Sequence, residues 1–422
     1  MQRSRKRWAD LPGVMSSARS PLLRATLTLM AGGALAQALP LLLGPLLTRL
    51  YTPTQFGLYH LFAAVAANVA VVACARYEHA LPLARDDAES HALVALCRWI
   101  LRAVIGLSTV GAVAWALSIG ALWPLWLPAA VGAFGWLSLA TLAAMRAQRF
   151  GALATSRVLQ HGGGAALQAL AGAAGAGLWG LIAAPIAAAL AATAWLRPRL
   201  WQAAALPRDA LATVARRHRD FPLLNTPHAF LGALQDTLAV ALIAAWQGPA
   251  AAGFWGLALR YLKAPATLVG GAVSQALYPA LAAGGAANEA GRAAVRRVLR
   301  SLLLLALPLV LVLWLIAPAA FAAAFGERWR EAGELARALA LYIGMHFVAS
   351  PLSVVAMAWG AQAWALKLSL VGQALFVAAL ATGLALGGLN AAGWAVSAAM
   401  SLYFGWFFWK LATWPVATPV SA

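Results

Sequence analysis

The chain has 422 residues, of which 63% are hydrophobic and only 10% charged, with a mean hydropathy of +0.77. A soluble domain carries about 25% charged residues, so this composition excludes a water-soluble globule and makes lipid the solvent for most of the chain. The formal net charge of +19 would point to nucleic acid in a soluble protein, but Arg-rich loops on the cytoplasmic side of a membrane protein account for it, and no nucleic-acid partner is expected.

The apolar runs are continuous rather than alternating at a period of two, which excludes an outer-membrane barrel. At about 20 apolar residues per span, the length holds roughly twelve helices. In chain order the predicted spans cover residues 22–47, 55–75, 93–117, 123–144, 153–176, 178–196, 223–246, 253–273, 298–321, 335–357, 364–386 and 391–409. Ala34-Leu35-Ala36 resembles a signal-peptidase site, but apolar residues continue to Leu47, so the segment reads as an uncleaved first span. The expectation is an all-α integral membrane protein with about 12 transmembrane helices in two six-helix bundles. Its parts would be a cytoplasmic tail (1–21), an N-terminal bundle (22–196), a polar connector (197–220), a C-terminal bundle (221–409) and a tail (410–422).

Orientation follows from the side bearing Arg and Lys. With the amino terminus inside, 25 of the 31 cationic side chains are cytoplasmic. Arg49, Arg328, Arg330 and Arg337 fall outside, and Arg260 and Lys263 lie within the eighth span. Both termini are then cytoplasmic, in a bacterial inner membrane. Outer loops are short, the longest near Gly326 to Glu334. Cys74 and Cys97 fall near cytoplasmic span ends, which argues against a disulfide; they read as small apolar packing residues.

An internal repeat is visible. Pro53-x-x-x-Gly57 opens the second span and Pro249-x-x-x-Gly253 the eighth, an offset of 196 residues, while Ala80-Leu81-Pro82 and Leu277-Tyr278-Pro279 follow at 197. A repeat of six spans keeps both copies in one orientation. It predicts two bundles related by an axis along the membrane normal, with a central cavity.

The run Leu46-Leu47-Thr48-Arg49-Leu50-Tyr51-Thr52-Pro53-Thr54-Gln55-Phe56-Gly57-Leu58-Tyr59, followed by Arg76-Tyr77-Glu78-His79-Ala80-Leu81-Pro82-Leu83-Ala84, resembles the polysaccharide-biosynthesis flippases. These belong to the multidrug/oligosaccharidyl-lipid/polysaccharide (MOP) exporter superfamily. The resemblance is sharp over about the first hundred residues. It implies a two-lobed, MATE-like, alternating-access transporter of an undecaprenyl-diphosphate-linked sugar repeat unit, serving O-antigen, capsule or exopolysaccharide synthesis. It also implies contact with membrane lipids and with a polysaccharide polymerase or export machinery. In its own right the motif reads as architectural: Pro53 suits a first helical turn and Tyr51 and Tyr59 suit the membrane interface. Arg49 is its residue best suited to a phosphate or headgroup.

Intramembrane charge carries the candidate site, because a charge at the bilayer centre costs about 2.5–3.5 kcal/mol even on the mildest scale. Arg260 and Lys263, three residues apart, share a helical face. Asp236 in the seventh span reaches the same depth as Lys263, either as its ion-pair partner or as the carboxylate of an ion-coupled cycle. Pro265 breaks the helix below, which favours a wet cavity. Arg260, helped by Lys263 and by Arg24 at the inner mouth, is the expected diphosphate binder. Gln37, Asn68, Gln160, His161, Gln168, Gln235, Gln275, His346 and Gln373 are either sugar-binding or interhelical hydrogen-bonding groups. Gly162-Gly163-Gly164 reads as packing or a bend. Trp123, Trp126, Trp246, Trp329 and Trp409 read as an aromatic belt, with sugar stacking by Trp329 the alternative.

No phosphate loop, metal-ligand cluster or cofactor site is read from the sequence, and no enzyme activity is expected. The alternatives are a MATE-like drug or cation antiporter, which would favour cavity carboxylates, and a membrane polysaccharide polymerase, which would need a long outer loop.

Overall fold

The computed structural model describes residues 14–196, 208–283 and 287–415, with side chains described from residue 28 onward except at 208 and 268. Among the described residues the secondary structure is entirely helical. The helices are α1 Val14–Leu50, α2 Pro53–Ala70, α3 Asp87–Ile119, α4 Leu127–Arg146, α5 Phe150–Arg157, α6 Gly164–Ala173, α7 Gly177–Leu196 and α8 Arg208–Arg217. They continue with α9 Thr226–Leu262, α10 Ala264–Ala282, α11 Glu289–Phe325, α12 Arg330–Ala338, α13 Ala340–Leu352, α14 Val354–Ala358 and α15 Gln362–Ala412.

Eight described runs are long and apolar enough to cross a membrane. Two of them are double: α9 is interrupted at Gly248, and α15 at Gly387 and Gly388, where the backbone leaves the helical region. Gly248 and Gly388 have positive φ (85° and 77°), a conformation open to glycine because it lacks a Cβ. With α2 and the α5–α6 pair, twelve membrane-scale segments result. The predicted tenth span is not one helix: its residues are divided among α12, α13 and α14, with breaks at Leu339 and Ser353.

The helices cluster into two compact units. One comprises residues 1–43, 69–174 and 182–229, and the other residues 44–68, 175–181 and 230–422. In the first unit, Gly135 of α4 lies so close to Leu101 of α3 and to Ala73 that a Cβ there would meet both. Small residues allow such approach where lipid supplies no hydrophobic drive to association. Polar groups fasten the unit's ends. Asp86 caps α3 by accepting from Glu89 N at 2.7 Å. Glu89 in turn accepts from Arg85 N at 2.8 Å and meets His218 Nε2 at 2.9 Å and Arg217 Nη1 at 3.2 Å. These contacts hold the chain just after α8 against the start of α3. Arg146 closes α4 by donating to Ala84 O at 2.6 Å and Asp86 O at 3.2 Å.

The second unit is organised around the start of α2. Thr52 and Gln55 form a capping box: Gln55 N donates to Thr52 Oγ1 at 3.2 Å and Thr52 N to Gln55 Oε1 at 3.0 Å, which satisfies donors that a helix start otherwise leaves open. Gly57 and Gly253 then cross in backbone contact. A Cβ on Gly57 would collide with the carbonyl oxygen of Pro249, and one on Gly253 with that of Pro53. One turn on, a Cβ on Gly256 would strike the His60 ring. All three equivalences carry the 196-residue offset of the repeat, so the contact is isologous in the manner of a local two-fold axis.

Two substitutions test this crossing. Gly57→Ala or Gly253→Ala forces two backbones apart and is expected to destabilise by at least about 1–3 kcal/mol, the range for overpacking, read as a lowered melting temperature of detergent-purified protein. Gly111→Ala in α3, where a Cβ meets nothing within 4 Å, is the control and is expected to be neutral or slightly stabilising. Gln55→Ala removes half of the capping box and is expected to cost about 1 kcal/mol, measured on the same melt.

Candidate functional site

In the second unit α9, α13, α14 and α15, together with Lys263 just before α10, line a cavity of about 370 Å³, within the range of small-molecule sites. Lys263 sits at the junction of α9, which ends at Leu262, and α10, which begins at Ala264 and carries Pro265 in its first turn. Its side chain lines the cavity, where its Nζ lies 3.8 Å from Asp236 Oδ1 of α9. The pair is loose, with side-chain exposures of 32% for Lys263 and 65% for Asp236. A lysine has three donors, so Lys263 can hold Asp236 and still offer hydrogen bonds to an anion.

The rest of the wall is aromatic and hydroxylic. Tyr342 stacks on Phe404 at 6.4 Å and lies beside His346 at 5.9 Å, while Trp364 stacks on Phe407 at 6.1 Å. Tyr403 Oη donates to Leu368 O at 2.9 Å, and Gln373 Nε2 to Ser369 Oγ at 3.2 Å. Gly372 makes room for the Tyr403 ring, which a Cβ there would meet at 2.7 Å. Flat rings with polar rims and a scatter of hydroxyl and amide groups can bind a ligand with apolar faces and many hydroxyls.

The structure separates the predicted cationic set. Arg260 does not line this cavity; it stands close enough to His60 of α2 for its charge to act on that ring. Arg49 has an exposed side chain at the end of α1. The carbonyls of Thr48 and Arg49 both accept from Arg328 Nη2 at 2.7 Å, which closes the helix end. Arg24 lies on α1 before residue 28, outside the residues whose side chains are described.

The polar residues predicted within spans also divide. Gln235, His346 and Gln373 line the Lys263 cavity. Gln37, Gln160 and His161 line a second cavity of about 250 Å³ in the first unit, together with Arg157, a residue that sequence reasoning counted only as a cytoplasmic charge. That wall includes part of a π-helical turn, Val158–Gly163, a feature frequent at functional sites, and Gly162 within it lies so close to Leu39 that a Cβ there would meet that side chain at 2.5 Å, the packing role open to Gly162-Gly163-Gly164. Asn68 donates to Thr237 Oγ1 at 3.3 Å and Gln168 is buried, while Gln275 is exposed.

Two aromatic expectations are corrected. Tyr51 and Trp329 are each 0% exposed, so neither sits in an interfacial belt and Trp329 cannot stack on a ligand. Trp329 Nε1 donates to Thr48 O at 3.1 Å, and its ring meets Phe56 at 5.2 Å and Phe254 at 5.9 Å. Tyr51 packs on Phe56 at 6.0 Å. Trp123 is also buried, against Trp115 at 4.7 Å, whereas Trp246 and Trp409 are exposed as expected.

Sequence reasoning found no metal-ligand set, yet the first unit brings Cys74, Glu78 and Cys97 together, with one ligand atom of each within 4.8 Å of the others. The 22 residues between the cysteines hide this grouping. Burial pushes the Glu78 carboxyl above the usual carboxylate range, and the nearby Arg76 charge offsets part of that rise.

Solved structures place the fold. The chain is similar to the lipid II flippase MurJ in an inward closed conformation, with a TM-score of 0.68 and 10% identity over 92% of this chain and 90% of that one. It is similar to a multidrug resistance MATE family transporter of the MOP superfamily in an inward-facing conformation, with a TM-score of 0.63 and 14% identity over 92% and 93%. A mutant of the Vibrio cholerae MATE transporter VcmN gives a TM-score of 0.51 and 17% identity over 94% and 96%. No curated protein matches the chain. The fold is thus that of an all-α, multi-pass membrane transporter, and, with residues 46–334 matching the family described as polysaccharide biosynthesis protein, the chain belongs to that family.

Proposed function

We propose that this transporter moves an undecaprenyl-diphosphate-linked oligosaccharide from the cytoplasmic to the periplasmic leaflet of a bacterial inner membrane, with both termini cytoplasmic. The observation that carries the reading is the Lys263 cavity. It offers an accessible cation, a loosely held carboxylate, and an aromatic, hydroxyl-rich wall in one space of about 370 Å³. In this reading Lys263 binds the diphosphate by charge-assisted hydrogen bonds, the rings and amides receive sugar, and Arg260, Arg24 and Arg49 contribute positive potential along the route. Membership of a polysaccharide biosynthesis family and a fold similar to that of a lipid II flippase support it. Translocation needs no bond to be made or broken, so the residues act by binding and release. Product that reaches the outer leaflet would pass to a polymerase or export machinery.

A second reading, antiport of a cation, is favoured by Asp236, whose carboxylate is more exposed than the ammonium facing it. The two readings separate in one experiment. In cells lacking the protein, lipid-linked repeat units are expected to accumulate on the cytoplasmic leaflet, and wild type is expected to restore their appearance outside. A hydrogen bond to a charged group is worth about 1.5–3 kcal/mol, so Lys263→Ala is expected to lower the outer-leaflet signal tenfold or more at matched protein level. Lys263→Arg should retain part of it. Normal leaflet distribution in the deletion strain, with cation efflux lost in Asp236→Asn and kept in Lys263→Ala, would reject flipping in favour of antiport.

A further inference from the structure

The group in the first unit that the transport reading does not use is the cluster of Cys74, Glu78 and Cys97. Cys74 lies in the turn that follows α2, Glu78 in the 3₁₀ segment Tyr77–Leu83, and Cys97 on α3. All three are at most 2% exposed, and both thiols are free. A buried polar atom is normally hydrogen-bonded, yet among the described residues Glu78 Oε2 has no hydrogen-bond partner, and neither does the buried Nε of Arg76 two residues earlier. The chain reaches this arrangement through two consecutive non-glycine residues in the left-handed region, Ala75 at φ 47° and Arg76 at φ 60°. Such a conformation persists only where the surroundings impose it.

We propose that Cys74, Cys97 and Glu78 form a structural zinc site that ties the segment after α2 to α3. Two sulfurs and one carboxylate oxygen are a borderline-soft donor set suited to Zn²⁺. Their mutual distances all lie within 4.8 Å, at most about 1 Å beyond the roughly 3.7 Å expected between sulfurs held at 2.3 Å in a tetrahedral site, a difference that side-chain rotation covers. Charge closes as well: two thiolates and a carboxylate around Zn²⁺ leave one negative charge, and the Arg76 guanidinium, whose charge acts on Glu78, balances it. Binding displaces the thiol protons, and the ion then supplies the partner that Glu78 Oε2 otherwise lacks.

The test uses full-length protein in detergent, freed of metal by chelation and titrated with Co²⁺ as a spectroscopic stand-in for Zn²⁺. One equivalent is expected to raise a thiolate-to-cobalt charge-transfer band with tetrahedral visible bands, all abolished by equimolar Zn²⁺. Cys74→Ser and Cys97→Ser are each expected to lose the charge-transfer band, and Glu78→Gln to weaken binding at least tenfold. Zn²⁺ should raise the melting temperature of wild type but not of the variants. If a variant fails to fold, the wild-type titration decides alone. Monodisperse wild type that takes up no Co²⁺, a band that survives in the Cys74→Ser/Cys97→Ser protein, or a mass showing the two cysteines joined as a disulfide would each overturn the proposal.

Discussion

A crossing of two backbones underlies the second unit, and much else depends on it. Gly57 and Gly253 each lie where a side chain would enter the other segment's proline carbonyl. Packing this close is open only to glycine, and in a membrane it replaces the hydrophobic drive that water would supply. The capping box of Thr52 and Gln55 fixes the start of α2 against this crossing. Trp329 seals it from the side by donating to Thr48 O and wedging between Phe56 and Phe254. The stretch from Thr48 to Gly57 is therefore a framework, and its aromatic and basic residues are occupied with it rather than with a ligand.

Given that framework, the site follows from where the junction of α9 and α10 carries Lys263. The backbone there stays helical, with φ −80° and ψ −13° at Lys263 and its N–H donating to Leu259 O at 3.0 Å, and Pro265 follows in the first turn of α10. The ammonium reaches Asp236 and the cavity wall, while Arg260, one turn earlier, does not line the cavity and acts on His60 of α2. Residues three apart on a helix are neighbours, yet their long side chains here meet different surroundings, and that separates two neighbouring cations.

The first unit also divides between groups that close helix ends and groups that border cavities or cluster in the interior. Glu89, Arg146 and Asp86 are spent on closing helix ends and seating the segment after α8. Arg157 and His161 instead border an open cavity beside a π-helical turn, and Cys74, Glu78 and Cys97 form a sealed cluster. Both groupings join residues from segments that the chain separates by many positions.

How much was legible beforehand follows from range. Hydropathy sums over twenty residues, so the helical membrane character, the span number and the rarity of intramembrane charge at Asp236, Arg260 and Lys263 were determined by sequence alone. The repeat was legible too, because the crossing needs the same proline and glycine in both copies, and the flippase-like run around Tyr51 and Pro53 announced the family. Composition could not say that Tyr51 and Trp329 are core residues, since an aromatic ring suits an interface and an interior equally well. Nor could it say that Lys263 and Arg260 part company, or that Cys97 meets Cys74. Those outcomes were decided by tertiary structure, because where a side chain points depends on neighbours brought from distant segments, which local hydrophobicity does not encode.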